Sequence, residues 1–331
     1  KLADVASKVQ GEFNKKGIKE LYSQLMSMSR KLQYQRLVES GALGRLPFIQ
    51  IDSLDKENAR VVFQGTEGAY GQAAMHQFFG DDVNCFHVRT FRDAMEAIEE
   101  GSADYAVLPI ENSSAGPVNE MYDLLDEFEN YIVAETILPV VHTLSGLPGT
   151  RLSEIKRVYS KAEALMQTTR FLDDHSDWQR ISVVNTAIAA KKVLEDQDKA
   201  QAAVCSTYAA KLHGLEVLVD EINDEEDNST RFIVVTNQKI FLKDASKISI
   251  EFELPHESGS LYNILSHFIY NDLNMTKIES RPVEGKQWEY RFFVDFDGNL
   301  EDAAVKNAIR GLREEARNLR ILGNYSIDGQ I

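Results

Sequence analysis

Three segments of the chain concentrate residue types that bind anions or donate protons. The first is the turn GTEGAYG at residues 65–71, which joins a predicted strand to a predicted helix. Glycines let the backbone approach a ligand, and free N–H groups at the start of a helix favour an anion. The glycine spacing matches neither G-x-G-x-x-G nor a Walker loop, so no nucleotide is indicated. By itself, the segment fits an anion-binding turn and a plain tight turn equally well.

The other two segments are dense in short hydrogen-bonding side chains. PIENSSAG, at residues 109–116, follows a predicted strand, and NSTRF, at residues 228–232, precedes one. Arg231 has the geometry to hold a carboxylate by two parallel hydrogen bonds. Either segment alone fits ordinary turn and capping chemistry. Together they flank the middle of one α/β block, which indicates crossover points between two lobes and a cleft suited to a small anionic ligand.

The elements that must position these segments lie in residues 60–243, where strand and helix signals alternate. Repeated strand–helix–strand units predict mostly parallel sheets covered by helices. Ligands in open sheets of this kind lie beyond the carboxyl ends of the strands, so the loops that directly follow strands are the predicted site. Strands are predicted at 60–64, 83–88, 105–110, 132–138, 156–160, 181–185, 202–206, 216–219 and 231–236.

The two ends of the chain have different patterns. Residues 246–331 follow the ferredoxin-like order β-α-β-β-α-β, with an antiparallel sheet and both helices on one face. Residues 47–59 are rich in polar and charged residues, which is typical of a linker. Residues 1–46 predict a long helix with one apolar stripe. This stripe consists of Ile18, Leu21, Leu25, Met28 and Leu32.

Composition argues against several classes of protein. The formal net charge of −16 argues against a general nucleic-acid binder, because phosphate binding needs clustered Lys and Arg. No apolar run approaches the roughly 20 residues that span a bilayer. Cys85 and Cys205 are too few for a disulfide framework or a Cys-rich zinc site. The acidic run at residues 224–227 lacks the spaced ligands of a calcium loop, so a solvated loop is expected. We expect no metal, no cofactor, no membrane association, and a reducing, cytoplasmic location.

Several blocks, read in order, resemble prephenate dehydratases: GTEGAYGQAA, DYAVLPIENSSAG, AETILPVVHTLSGLPG, AAVCSTYAAKLHGL and NSTRF. SGSLYNIL followed by NMTKIESRP resembles the ACT regulatory domain of the same enzymes. KELYSQLMSMSRKLQYQ resembles the last helix of an all-helical chorismate mutase, and the whole order is that of the bifunctional P-protein. The resemblance implies a two-lobed dehydratase domain at 60–243, similar to periplasmic binding proteins and crossed twice by the chain. It also implies an ACT domain at 246–331, after the helical segment at 1–46 and the linker.

The resemblance implies conversion of prephenate into phenylpyruvate, carbon dioxide and water, a step of L-phenylalanine biosynthesis. It assigns the proton-donor role to Thr230, with Arg231 and Phe232 completing the motif. One departure is SKAEAL at residues 160–165, where the family usually has Ser-His-Pro-Gln-Ala-Leu. The substrate contacts that the resemblance implies are Thr66, Asn112, Ser113, Ser160 and Thr186.

The resemblance further implies that phenylalanine binds between paired ACT domains and inhibits the enzyme. We expect a homodimer or homotetramer formed through the ACT domains and the N-terminal helix. Ser29 and Gln33 match polar contacts of the mutase, but residues 1–46 have room for only part of a mutase domain. Mutase activity is therefore expected of a full-length protein and not of this chain. The implied effector site consists of Gly259, Ser260, Leu261, Asn274, Met275, Glu279, Ser280, Arg281 and Pro282.

Two other functions fit the same sequence. Arogenate dehydratase uses the aminated form of the substrate, and one substituent separates the two reactions. A non-catalytic phenylalanine sensor would keep the two lobes and the ACT domain. The altered SKAEAL segment favours the sensor slightly, whereas the intact TRF motif argues against it.

Overall fold

A computed structural model describes residues 2–39, 46–225, 227–254 and 256–327. The chain divides into two compact units. Among the described residues, the first unit combines those up to residue 50 with those of 239–325, and the second combines those of 51–238 with 326 and 327.

Helices and strands follow the predicted order along most of the chain. The α-helices are α1 Leu2–Ser7, α2 Glu12–Glu39, α3 Tyr70–Phe79, α4 Phe91–Glu99, α5 Asn119–Glu127, α6 Ala162–Met166, α7 Thr169–Asp173, α8 Thr186–Asp196, α9 Thr207–Leu212, α10 Ser260–Ile269 and α11 Ala303–Glu315. The strands are β1 Ile49–Ile51, β2 Arg60–Gln64, β3 Asn84–Val88, β4 Tyr105–Asn112, β5 Gly116–Pro117, β6 Tyr131–Pro139, β7 Thr143–Gly146, β8 Arg157–Ser160, β9 Gln179–Ser182, β10 Gln201–Cys205, β11 Glu216–Val219, β12 Ser229–Thr236, β13 Ile240–Leu242, β14 Lys247–Glu253, β15 Met275–Pro282, β16 Tyr290–Asp297 and β17 Arg317–Tyr325.

The second unit consists of two α/β lobes, each built on a five-stranded sheet. The order is β3-β2-β4-β12-β6 in the first lobe and β9-β8-β10-β7-β11 in the second. The prediction of mostly parallel sheets holds for four of the five strands in each lobe, which run in the same direction. The exceptions are β12 and β7, which run antiparallel to both of their neighbours. Each of these two strands is the first strand after the chain crosses between lobes. The direction of each of these strands therefore depends on the crossing, which no local pattern in the sequence predicts.

Burial on both faces explains the continuous apolar runs of the central strands. All five residues of β10 are buried, and alternate residues contribute to different cores. Ala203 and Cys205 pack with α8 and α9 residues in one cluster. Ala202 and Val204 pack on the opposite face with Leu172 in a second cluster. Period-two geometry thus divides one strand between two helical layers.

The first unit contains the predicted ferredoxin-like element order. Its sheet has the order β15-β16-β14-β17, and every pairing is antiparallel. Ile248, Ile250 and Phe252 alternate along β14 and belong to the same core as Ile264 of α10 and Ile309 of α11. The predicted fold class is therefore confirmed: a two-lobed α/β domain, a βαββαβ domain and an N-terminal helical segment.

Helix α2 contacts the βαββαβ domain through polar residues. Gln24 Nε2 donates to Tyr262 Oη at 2.9 Å, and Lys31 Nζ donates to Ser266 Oγ at 2.6 Å. Lys31 is buried, and burial lowers its pKa to about 8. Four residues of the predicted apolar stripe are exposed instead of covering a core. They are Leu21 at 57%, Leu25 at 58%, Met28 at 45% and Leu32 at 52%.

Candidate active site

Thr230 lies directly opposite Asn112, where the antiparallel strands β12 and β4 meet. Asn112 Nδ2 is 2.9 Å from Thr230 Oγ1. The amide orientation is fixed because Asn112 Oδ1 accepts the backbone N–H groups of Ser114 at 3.0 Å and Ala115 at 2.8 Å. Asn112 is therefore the donor, and the Thr230 hydroxyl keeps its own proton for another acceptor.

A bulge in β4 brings these two residues opposite each other. Arg231 pairs with Glu111, but the next residue, Phe232, pairs with Pro109, so Ile110 is the extra residue. Proline has no N–H to donate to a strand ladder and is found in sheets at edges and bulges. A regular ladder continued from Pro109 would place Glu111 opposite Thr230. The bulge thus shifts the register by one residue and selects Asn112.

Ser113 joins the same cluster through the backbone of β12. Its Oγ accepts the N–H of Ser229 at 2.9 Å and lies 3.2 Å from the carbonyl oxygen of Asp227. The structure therefore brings Asn112, Ser113 and Thr230 together. The polar atoms of Asn112 contact protein groups, so its geometry fits a residue that positions Thr230 better than the direct substrate contact predicted.

The side chains of Arg231 and Phe232, the other residues of the TRF motif, have different neighbours from the side chain of Thr230. Neighbouring residues in a strand point to opposite faces. Arg231 Nε lies 3.6 Å from Glu111 Oε2, and its Nη1 lies 3.7 Å from Oε2 of the buried Glu135. Phe232 is buried in the first lobe. Arg231 thus interacts with two protein carboxylates on the face away from Thr230, where the sequence suggested a carboxylate of a ligand.

Thr66 and Thr186 belong to a second cluster. Asn185 caps α8, since its Oδ1 accepts the N–H of Ile188 at 2.7 Å, and its Nδ2 donates to Thr66 Oγ1 at 3.4 Å. Thr186 is the first residue of α8 and is buried. Thr66 lines a cavity of about 790 Å³ with Glu67, His87, Ala187, Ile188, Lys191, Lys192, Glu195 and His213.

Ser160 is placed differently from its predicted role. It is fully buried at the end of β8, and its Oγ donates to the carbonyl oxygen of Val204 at 2.6 Å. The neighbouring Lys161 is half exposed and forms an ion pair with Glu163 at 3.3 Å. In this structure, Ser160 holds β8 to β10.

Sequence reasoning missed a chain of polar side chains at the first crossing between lobes. Tyr70 Oη donates to the carbonyl oxygen of Val141 at 2.9 Å and lies 3.2 Å from His142 Nδ1. His142 Nε2 lies 2.9 Å from Gln167 Oε1. Burial lowers the pKa of His142 and raises that of Tyr70. Tyr70 stands in the block GTEGAYG and His142 in AETILPVVH. The sequence signal that could have indicated them is a polar side chain among apolar neighbours.

The side chains of Asp224 and Glu225 form hydrogen bonds with the protein, although the acidic run was predicted to be a solvated loop. Both carboxylate oxygens of Asp224 accept backbone N–H groups at the start of α7, from Thr169 at 2.8 Å and Arg170 at 2.9 Å. Glu225 accepts the hydroxyl of Ser114 at 2.7 Å. Residue 226 lies outside the described part of the chain. The described residues of the run therefore connect the second crossing to both lobes.

The βαββαβ domain contains a cavity of about 380 Å³. Gly259 is the N-cap of α10 with φ +87°, a backbone conformation that favours glycine. Asn274 Nδ2 donates to Asp297 Oδ2 at 2.8 Å. The predicted effector residues Met275 and Glu279 to Pro282 lie on strand β15. Of the predicted effector residues, Ser260 and Leu261 line the cavity. The remaining lining residues are Leu254, His256, Glu257, Ser258, Trp288, Glu289, Tyr290 and Phe292.

The predicted mutase contacts, the two cysteines and the expected absence of metal and membrane elements concern other parts of the chain. Ser29 and Gln33 are exposed on α2. Cys85 and Cys205 are free thiols, and burial raises the pKa of Cys205 to about 12. The described residues contain no group of three or more His, Cys, Asp or Glu arranged to hold a metal ion. Within those same residues, no helix combines the length and apolarity needed to cross a membrane.

Comparison with known proteins identifies the family. The model of the prephenate dehydratase family matches residues 61–240. The bifunctional chorismate mutase/prephenate dehydratase of Escherichia coli K12 is 32% identical over 88% of this chain and 78% of its own length. Arogenate dehydratase/prephenate dehydratase 2 of Arabidopsis thaliana is 34% identical over 94% of this chain and 81% of its own. The crystal structure of prephenate dehydratase from Arthrobacter aurescens with L-Phe has a TM-score of 0.75 and 33% identity, covering 81% of this chain and 89% of that one. This chain therefore belongs to the prephenate dehydratase family.

Proposed function

We propose that this protein converts prephenate into phenylpyruvate, carbon dioxide and water. Thr230 donates its proton to the departing ring hydroxyl, which leaves as water. The bond between the ring and its carboxylate then breaks, and its electron pair completes the aromatic ring as carbon dioxide departs. Solvent returns the proton to Thr230. The hydrogen bond from Asn112 Nδ2 to Thr230 Oγ1 carries this proposal, because it stabilises negative charge that develops on the oxygen.

The sharpest test compares Thr230→Val with Thr230→Ser. Valine has a similar shape but no hydroxyl, so prephenate still binds while most turnover is lost. Serine keeps the hydroxyl opposite Asn112 and retains much more activity. Thr236→Val is the matched control, because it makes the same change at the other end of β12. A Thr230→Val rate within about tenfold of wild type, or about 1.4 kcal/mol, excludes Thr230 as the acid.

We also propose that L-phenylalanine binds in the 380 Å³ cavity of residues 246–331 and inhibits the reaction. Its aromatic lining and the backbone N–H groups at the start of α10 suit an apolar amino acid with a carboxylate. We infer that the edge strand β15, with Glu279, Ser280, Arg281 and Pro282, pairs with a second ACT domain. The exposed stripe of α2 supports the further inference that this helix also joins subunits of a dimer or tetramer.

The remaining domain and substrate assignments are part of the same proposal. We propose that residues 60–238 form the dehydratase domain; the predicted domain of 60–243 and the predicted linker of 47–59 both extend into the first compact unit, at residues 239–243 and 47–50. We expect the enzyme to act in the cytoplasm. Parallel assays with prephenate and arogenate distinguish the two dehydratase reactions by their kcat/KM ratio. Absence of turnover on both substrates, with phenylalanine still bound, would favour the non-catalytic sensor.

A further inference from the structure

Asn228 contains a buried amide nitrogen next to the proposed acid. The residue is 4% exposed, and its Oδ1 accepts a hydrogen bond from Asn112 Nδ2 at 2.8 Å. Its carbonyl oxygen accepts the N–H of Val140 at 2.8 Å, which fixes the backbone where the two crossing segments meet. Among the residues that the structure describes, Asn228 Nδ2 has no hydrogen-bond partner.

The orientation of this amide follows from its neighbours. Asn112 Oδ1 faces two backbone donors, so its Nδ2 must face Asn228, and Asn228 must present Oδ1 to it. Asn228 Nδ2 is therefore the group turned away from Asn112. A rotated amide would place two NH₂ groups against each other, which is unfavourable.

The hydrogen-bond donors and acceptors around Thr230 do not match in number. Asn112 Nδ2 has two protons but lies within 3.0 Å of three acceptors, namely Asn228 Oδ1, Ser229 O and Thr230 Oγ1. Asn228 Nδ2 adds two more protons without a protein acceptor among the described residues. A buried donor without a partner costs free energy, and an acceptor that a bound ligand supplies removes this cost.

We propose that Asn228 Nδ2 donates to the ring carboxylate of prephenate, the group that leaves as carbon dioxide. This inference rests on the proposed function. A neutral donor suits this carboxylate because the group loses its charge in the reaction. A cation would stabilise the charged ground state more than the transition state and would oppose decarboxylation. Arg231, the cation of the same motif, interacts with Glu111 and Glu135 instead.

Asn228→Asp tests the assignment, because it keeps Oδ1 for Asn112 and replaces only the NH₂ group. An ionised Asp repels the carboxylate, so kcat/KM for prephenate falls about 10- to 100-fold, as expected for a lost hydrogen bond to a charged group. The loss becomes smaller as pH falls, because a protonated carboxyl donates again. Asn130→Asp is the matched control, since Asn130 is also buried but its Nδ2 donates to Met95 O at 3.3 Å, outside the site.

Phenylpyruvate provides the decisive comparison, because it lacks the ring carboxylate but keeps the side-chain carboxylate. We expect Asn228→Asp to weaken prephenate use and to leave inhibition by phenylpyruvate unchanged. Equal weakening of both ligands overturns the assignment to the ring carboxylate. Activity within threefold of wild type overturns any contact with substrate. If Asn228→Asp does not fold, Asn228→Ala is used and KM is read separately from kcat. Loss of the Oδ1 atom that accepts from Asn112 lowers kcat, whereas loss of the carboxylate contact raises KM for prephenate. An unchanged KM overturns the assignment. Wild-type turnover of prephenate is measured first, so failure of the proposed function is recognised separately.

Discussion

Gly68 allows the turn that carries Thr66 to approach the second lobe closely. Its φ is +85°, and a Cβ added there would lie 3.3 Å from Ala187 Cβ and 3.4 Å from both His213 Nε2 and Leu212 Cδ2. Gly68→Ala therefore combines backbone strain with steric contact. Gly214→Ala is the matched control, because Gly214 has φ +65° but a Cβ added there would lie within 4 Å of no other residue in the described part of the chain.

The two effects have separable magnitudes. A left-handed conformation with a Cβ costs about 1–2 kcal/mol, and both variants should lose this much stability. Overpacking typically costs about a further 1–3 kcal/mol, and only Gly68→Ala should show this loss. The contacting atoms belong to the second lobe, so the turn must move by a few tenths of an ångström. Because Thr66 lies on the turn and Thr230 does not, KM for prephenate should rise severalfold with a smaller change in kcat.

Urea unfolding and steady-state kinetics on the same preparations measure both quantities. The expected result is a lower free energy of unfolding for Gly68→Ala than for Gly214→Ala, with a raised KM in Gly68→Ala alone. Equal stability of the two variants, with a wild-type KM in both, would refute the close approach of the turn to α8 and α9.

Three further predictions concern other parts of the chain. Burial lowers the pKa of Lys31 from its ordinary value of 10.5 to about 8 in the folded chain. Between these two pH values the folded chain therefore binds fewer protons than the unfolded chain. The stability of wild type relative to Lys31→Met should therefore rise from pH 8 to 10 in urea unfolding. Asp224→Ala removes the acceptors at the start of α7 and should lower stability by about 1 kcal/mol, measured by thermal unfolding. Trp288→Ala opens the cavity of the βαββαβ domain, and calorimetry should show weaker L-phenylalanine binding while turnover without phenylalanine is unchanged.

Local patterns predicted most elements of the fold. Strands β2, β4, β6 and β14 follow apolar runs or strict alternation, and both signals depend only on neighbouring residues. The directions of β7 and β12 were not predictable in this way, because they depend on where the chain crosses between lobes. The apolar stripe of α2 correctly predicted a helix. It did not predict that Lys31 would be the buried residue, because burial depends on the partner surface.

The sequence predicted which residues form the candidate site, but not how their side chains contact one another. Resemblance identified Asn112 and Thr230, and the structure places them in hydrogen-bonding contact. Ser160 illustrates the limit of motif reading, because a hydroxyl that fits a substrate also fits the carbonyl oxygen of a neighbouring strand. Asn228 was part of a recognised motif, but that its Nδ2 has no acceptor among the described residues becomes visible only in three dimensions.

The position of the Thr230 hydroxyl, the proposed acid, depends on strand register as much as on side-chain identity. Without the extra residue Ile110, Thr230 would face Glu111, whose carboxylate accepts hydrogen bonds and cannot donate when ionised. The Thr230 proton would then be directed to Glu111 and would not be available to a substrate. With the bulge, an amide donor occupies this place, and Glu111 interacts with Arg231 on the other face. Pro109, which cannot complete a regular ladder, thus favours the register that the proposed role of Thr230 as an acid requires.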